Sequence, residues 1–170
     1  ELFREKNVPL ETEETKLGQQ YQEMMGALTV DFQGEEKTLV QMGVYLREND
    51  RALRQEAWEL VAKKRLEVAD ACDEQFEKLM ALRVQIAANA GFKDYREFKH
   101  ISKGRFDYQP DDCFKFHEAV ETLVMPLYNQ LLSERRESMQ LNALRPWDTG
   151  VDPLGRAPLT PFTEVDDMVA

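Results

Sequence analysis

Residues 49–91 read NDRALRQEAWELVAKKRLEVADACDEQFEKLMALRVQIAANAG, and this stretch decides the fold. Asn49 or Asp50 suits a helix N-cap, because a short side-chain oxygen can accept from the first free backbone N–H groups. Leu53, Ala57, Val61, Val68, Cys72, Phe76, Leu79, Ile86 and Ala90 then keep helical spacing, with no proline or glycine before Gly91. Gly91 stands where a C-cap glycine belongs. The pattern predicts one helix of about 40 residues, which at 1.5 Å per residue would reach ~60 Å. A helix that long must pack in a hairpin or project into something larger. Arg54, Glu59, Lys63, Lys64, Glu67, Glu74 and Lys78 give it a solvated face. A coiled coil is the competing reading, but the apolar steps do not sustain an a/d heptad.

Upstream, 1–14 is charged and holds Val8-Pro9, which reads as an extended, linker-like dipeptide. Leu17, Tyr21, Met24, Met25 and Leu28 predict an amphipathic helix over 15–28, weakened by Gly18 and Gly26. Residues 28–32 alternate, and Gln33-Gly34 supplies a turn, so one short strand is expected whose partner lies elsewhere. Leu39, Met42 and Leu46 return to helical spacing over 35–47.

Downstream, Tyr95, Phe98 and Ile101 predict a short aromatic helix, followed by a loop over 102–109. Pro110-Asp111-Asp112 opens a second long helix, since proline and acids suit a first turn. Phe114, Phe116, Ala119, Val120, Leu123, Val124, Leu127, Leu131 and Leu132 are its expected buried stripe, and Pro126 should kink it. From 142 the period is lost, and Pro146, Pro153, Pro158 and Pro161 predict an extended tail leaning on another element. The expected class is mainly α: long antiparallel helices, one proline-kinked, with one short strand and a proline-rich C-terminal tail. The divisions are 1–91, 92–141 and 142–170.

The chain has 170 residues, 32 acids against 22 bases and a formal charge of −10, enough for one ordinary domain. That balance argues against nucleic acid and anionic membranes as partners, and no apolar run is long enough to span a bilayer. Cys72 and Cys113 form neither a CxxC pair nor a metal-ligand spacing, so free thiols and a reducing, cytoplasmic setting are expected.

His117-Glu118-Ala119-Val120-Glu121 is the one catalytic-looking string. It has the form of HExxH with the second histidine replaced by glutamate. In a zincin, two imidazoles one turn apart hold Zn²⁺ and the intervening glutamate activates water. Only one imidazole is available here, and His100 lies in a different helix, so the string is read as structural and not as a zinc site. Leu144-Arg145-Pro146-Trp147-Asp148 has two readings, an interface or groove segment and a tryptophan anchoring a loop.

Taken in order, several strings share a pattern: 28–39 (LTVDFQGEEKTL), Asp50-Arg51 with 54–58 (RQEAW), 89–92 (NAGF) with 94–96 (DYR), 104–108 (GRFDY), 116–120 (FHEAV) and 144–148 (LRPWD). Together they resemble the region upstream of the active site in zinc oligopeptidases of the thimet oligopeptidase class, nearest the oligoendopeptidase F branch. The resemblance implies an almost wholly α-helical enzyme with two lobes around a deep channel that admits short peptides. It implies zinc held by HExxH and a later glutamate, neither of which has a counterpart here. His117 and Glu118 inherit no role, and no catalytic, cofactor or metal residue is assigned to this chain. The expectation is a non-catalytic stretch of a zinc-dependent oligoendopeptidase, forming scaffold and channel wall, with zinc only in the full-length parent. A free-standing helical interaction module is the alternative. Surface exposed by truncation around Trp58, Trp147 and Phe162 would favour a homodimer.

Overall fold

The computed structural model describes residues 2–156 together with 162, 164, 166 and 168. The stretch 157–161, with Pro158 and Pro161 of the expected tail, lies outside the described residues.

The mainly α class holds: the described residues form six α-helices and one two-stranded antiparallel sheet. Helix α1 spans Val8–Gly26, so 8–14 is helix and not linker. Pro9 sits in the first turn, where its missing N–H costs nothing and its fixed φ suits the helix.

A hairpin follows, β1 (Thr29–Phe32) and β2 (Glu35–Thr38), with Thr29 opposite Thr38 and Phe32 opposite Glu35. The expected strand is present, but its partner is adjacent, and 35–38 is strand where a helix was predicted. The turn explains both: Gln33 and Gly34 have φ of 58° and 80°. Positive φ at both central residues belongs to the tight hairpin turn whose twist matches that of its strands. A 3₁₀ helix, Gln41–Arg47, continues the chain. Val30, Phe32 and Met42 bury against Ala57 to make one core cluster.

The helix predicted over 50–90 is two helices, α2 (Arg51–Leu66) and α3 (Ala69–Ala90). Between them Val68 leaves the helical basin at φ −110°, ψ 10°. The Glu67 and Val68 N–H groups reach back to the carbonyls of Lys64 and Arg65, three residues before each, and the helix restarts with Cys72 N–H on the Val68 carbonyl. Both predicted ends stand. The Asp50 carboxylate accepts from the Ala52 and Leu53 N–H groups at 2.9 and 3.3 Å, and Gly91 closes α3 at φ 87°. Asp50→Ala is expected to cost about 1 kcal/mol through loss of this cap, read as a lower urea midpoint at unchanged slope.

Helix α3 runs antiparallel to α1. The contacts pair Asn7 with Asn89 at 2.7 Å, Glu14 with Arg83 at 2.8 Å and the Leu17 carbonyl with Gln75 at 2.6 Å. Asn7, 1% exposed, also donates to the Ile86 carbonyl. Ile86, Ala87 and Ala90 meet Phe98 of α4 (Tyr95–Ser102) in a second core cluster.

Helix α5 (Pro110–Ala119) and helix α6 (Met125–Ser138) are joined by a π-helical segment, Val120–Val124. Its Met125 N–H bonds to the Val120 carbonyl, five residues back, immediately before Pro126. A wider turn there takes up the disturbance that a proline causes inside a helix. The expected buried stripe is overturned. Phe114, Phe116, Leu123, Val124, Leu127 and Leu131 are all more than half exposed.

The chain after α6 returns to α2. Trp147 and Asp148 are buried, and the Trp147 ring lies 5.5 Å from that of Trp58. The loop-anchoring reading of Trp147 therefore holds, and its place on tail surface exposed by truncation does not.

Candidate functional site

The zincin-like string does not gather into a site. His117 is exposed on α5, its ring edge-on to Phe114 at 6.3 Å, and Glu121 lies in the exposed π segment. Among the described residues no three His, Cys, Asp or Glu side chains converge closely enough to hold a metal ion. The donors among the described residues therefore do not fit the zinc that the resemblance implies.

His100 is buried on α4, where its Nε2 donates to the Tyr108 carbonyl at 2.9 Å and its ring meets that of Tyr108 edge-on. That bond fixes the loop joining α4 to α5 and sets one wall of a groove between the two helices. The groove encloses about 340 Å³ and is lined by Arg96, Lys99, Lys103, Arg105, Phe114 and His117, with His100, Pro110 and Cys113. Sequence reasoning did not single it out. The signal was the placing of Arg96, Lys99 and Lys103 three and seven residues apart, which puts three cations on one helical face.

A second constellation ties the C-terminal stretch down. Asp148, 0% exposed, accepts from Arg51 Nε and Nη2 at 2.9 Å each and from Arg54 Nη2 at 3.3 Å. Arg54, 2% exposed, also donates to the carbonyls of Trp147, Glu48 and Asn49. Burial alone would push the Asp148 carboxyl up, but Arg51, the Arg145 N–H and Arg54 together hold it below its ordinary range. Arg135 of α6 reaches the same loop, donating to the Asp148 and Val151 carbonyls. This cluster is a structural clasp, since every charged group in it is engaged with another part of the chain.

The family model of Peptidase family M3 matches residues 44–168. Among solved structures, a protein assigned as oligoendopeptidase F is 28% identical with a TM-score of 0.85, over 88% of this chain and 26% of its own. PZ peptidase A with an inhibitor matches at the same identity and TM-score, over 88% of this chain and 27% of its own. A protein assigned as oligoendopeptidase F from Bacillus anthracis str. Ames shares the fold at 24% identity and a TM-score of 0.88, over 97% of this chain and 30% of its own. The chain thus spans between a quarter and a third of the length of these structures. Comparison with curated proteins gave no match.

Proposed function

The chain belongs to Peptidase family M3, and from that premise we propose that it is a non-catalytic section of a zinc-dependent oligoendopeptidase that hydrolyses short peptides. Its part is scaffold and channel wall. The observation that carries this reading is the bare face of the α5–α6 helix. A helix that leaves Phe116, Leu123 and Leu127 at 67%, 74% and 57% exposure has an apolar surface that a finished fold would cover. The rest of a longer peptidase supplies that cover. The antiparallel α1–α3 pair and the Asp148 clasp give the wall its stiffness, because both tie distant stretches of chain together by buried hydrogen bonds. Zinc in this reading is held by residues other than those described here.

Hydrolysis of a quenched-fluorescence oligopeptide tests it. The 170-residue chain with added Zn²⁺ is expected to give no turnover. The longer polypeptide encoded with it should give turnover that a chelator abolishes. Chelator-sensitive turnover by the chain itself, lost on Glu118→Ala, would overturn the non-catalytic role. A longer reading frame without HExxH would overturn the peptidase.

A further inference from the structure

We propose that the groove between α4 and α5 binds a small organic oxyanion, a carboxylate or phosphate carried on an apolar body. Its lining holds four cations, Arg96, Lys99, Lys103 and Arg105, and no acid, whereas the adjoining hollow that shares Arg96, His100 and Pro110 carries Glu97 and Asp111. The chain as a whole is acidic, with a net charge of −10, so this is a local reversal of sign. Clefts lined by one sign of charge focus their field and concentrate ligands of the other sign.

The cations are only weakly occupied. Arg96 approaches Asp94 no closer than 3.7 Å, and its guanidinium lies over the Phe114 ring at 5.3 Å. Lys99 lies over the Tyr95 ring at 5.9 Å. Among the described residues, Lys99, Lys103 and Arg105 form no ion pair. Attraction to the negative end of α4 would account for Lys99 and Lys103. It does not account for Arg96, in the first turn where the helix dipole opposes it, nor for Arg105, beyond the last turn.

The floor is of another character. Phe114, Pro110 and Cys113 from α5 face the cationic side of α4 across the groove. A mostly apolar groove bordered by cations suits a ligand with an apolar body and one anionic end, and a volume near 340 Å³ is at the small-molecule scale. Guanidinium forks match carboxylate and phosphate oxygens alike.

Cys113 makes the groove report on itself, with Cys72 on α3 as the internal reference. Alkylation of the full chain by iodoacetamide is followed at each thiol by peptide mass mapping. The added probes are N-acetylphenylalanine, phenyl phosphate and the neutral N-acetylphenylalaninamide. Either anion is expected to slow labelling of Cys113 but not of Cys72. The rate falls as 1 + [L]/Kd, about tenfold at nine times Kd. The better protector identifies the oxyanion, and the amide should not protect. Protection should vanish in Lys99→Glu/Lys103→Glu/Arg105→Glu, with Lys103→Gln/Arg105→Gln as the milder pair should the first fail to fold. Three results would each overturn the site: no protection by millimolar anion, equal protection by the amide, or protection that survives charge removal.

Discussion

Asp148→Ala is expected to destabilise the chain by about 3–5 kcal/mol, the cost of breaking a buried ion pair and leaving its partner behind. The partner is Arg54, whose side chain is 2% exposed. Its bonds to the Trp147, Glu48 and Asn49 carbonyls would remain, but a full charge would sit among them without a counter-ion. Arg51 contributes less, because its side chain is 41% exposed and solvent screens that arm of the pair. Arg135 keeps its bonds to the Asp148 and Val151 carbonyls in this variant. The carboxylate's bonds to Arg51, Arg54 and the Arg145 N–H are lost, so the Trp147 ring should pack less firmly on Trp58. For a chain of this size each kcal/mol moves Tm by about 2–4 °C, so a fall of roughly 6–20 °C is expected, with tryptophan fluorescence shifted to the red. Asp148→Asn keeps an acceptor and should lose less.

The pH dependence has a definite sign. The Asp148 carboxyl is held below its ordinary value of 3.8 in the folded chain. A group depressed in this way binds its proton more readily when unfolded, so its contribution is present above the unfolded value and is lost as pH falls through the lower folded one. Wild-type stability should therefore drop below about pH 4 more steeply than that of Asp148→Asn. A loss under about 1 kcal/mol in Asp148→Ala, or parallel acid profiles, would show the clasp to be ornamental.

The ends of the long helical stretch were legible and its middle was not. Asp50 and Gly91 act through local backbone chemistry, and local chemistry is what a sequence displays. The break at Glu67 and Val68 carries no proline or glycine. It arises because α2 serves the cluster of Val30, Phe32 and Met42, whereas α3 serves the separate cluster of Ile86, Ala87, Ala90 and Phe98. One straight helix cannot face both, and the turn falls where apolar demand is lowest, beside Leu66 at 73% exposure. The second strand failed for the opposite reason. Glu35-Glu36-Lys37-Thr38 has little strand character, and it pairs because the Gln33-Gly34 turn forces it back along β1. At the candidate site, HExxE drew attention as a motif but forms no metal site, and of it only His117 reaches the groove. The cationic groove could be half read from the spacing on α4. Its other wall required the fold to bring α5 across.

The face of α5–α6 leads to the other large effect, self-association of the chain. Leu123, Leu127 and Leu131 stand four residues apart on one side of the helix and are 74%, 57% and 52% exposed. Burying a side chain of this size is worth about 1.5–3 kcal/mol, so two such faces meeting gain enough to rival the cost of association, about 4–15 kcal/mol. Charge works against it, because two copies at −10 each repel. Salt screens that repulsion without weakening apolar burial, which gives the association an unusual signature for an acidic protein. In sedimentation or light scattering the mean mass should rise with concentration, and rise further between low and high salt. Leu123→Ser/Leu127→Ser/Leu131→Ser should restore the monomer with only a modest loss of Tm, since all three side chains are more than half exposed. A monomer at every concentration and salt level would mean that the bare helix face lacks the stickiness its composition implies, and would remove the main support for a missing cover. A monomer obtained only with the longer polypeptide would show that the same face is filled from within the parent chain.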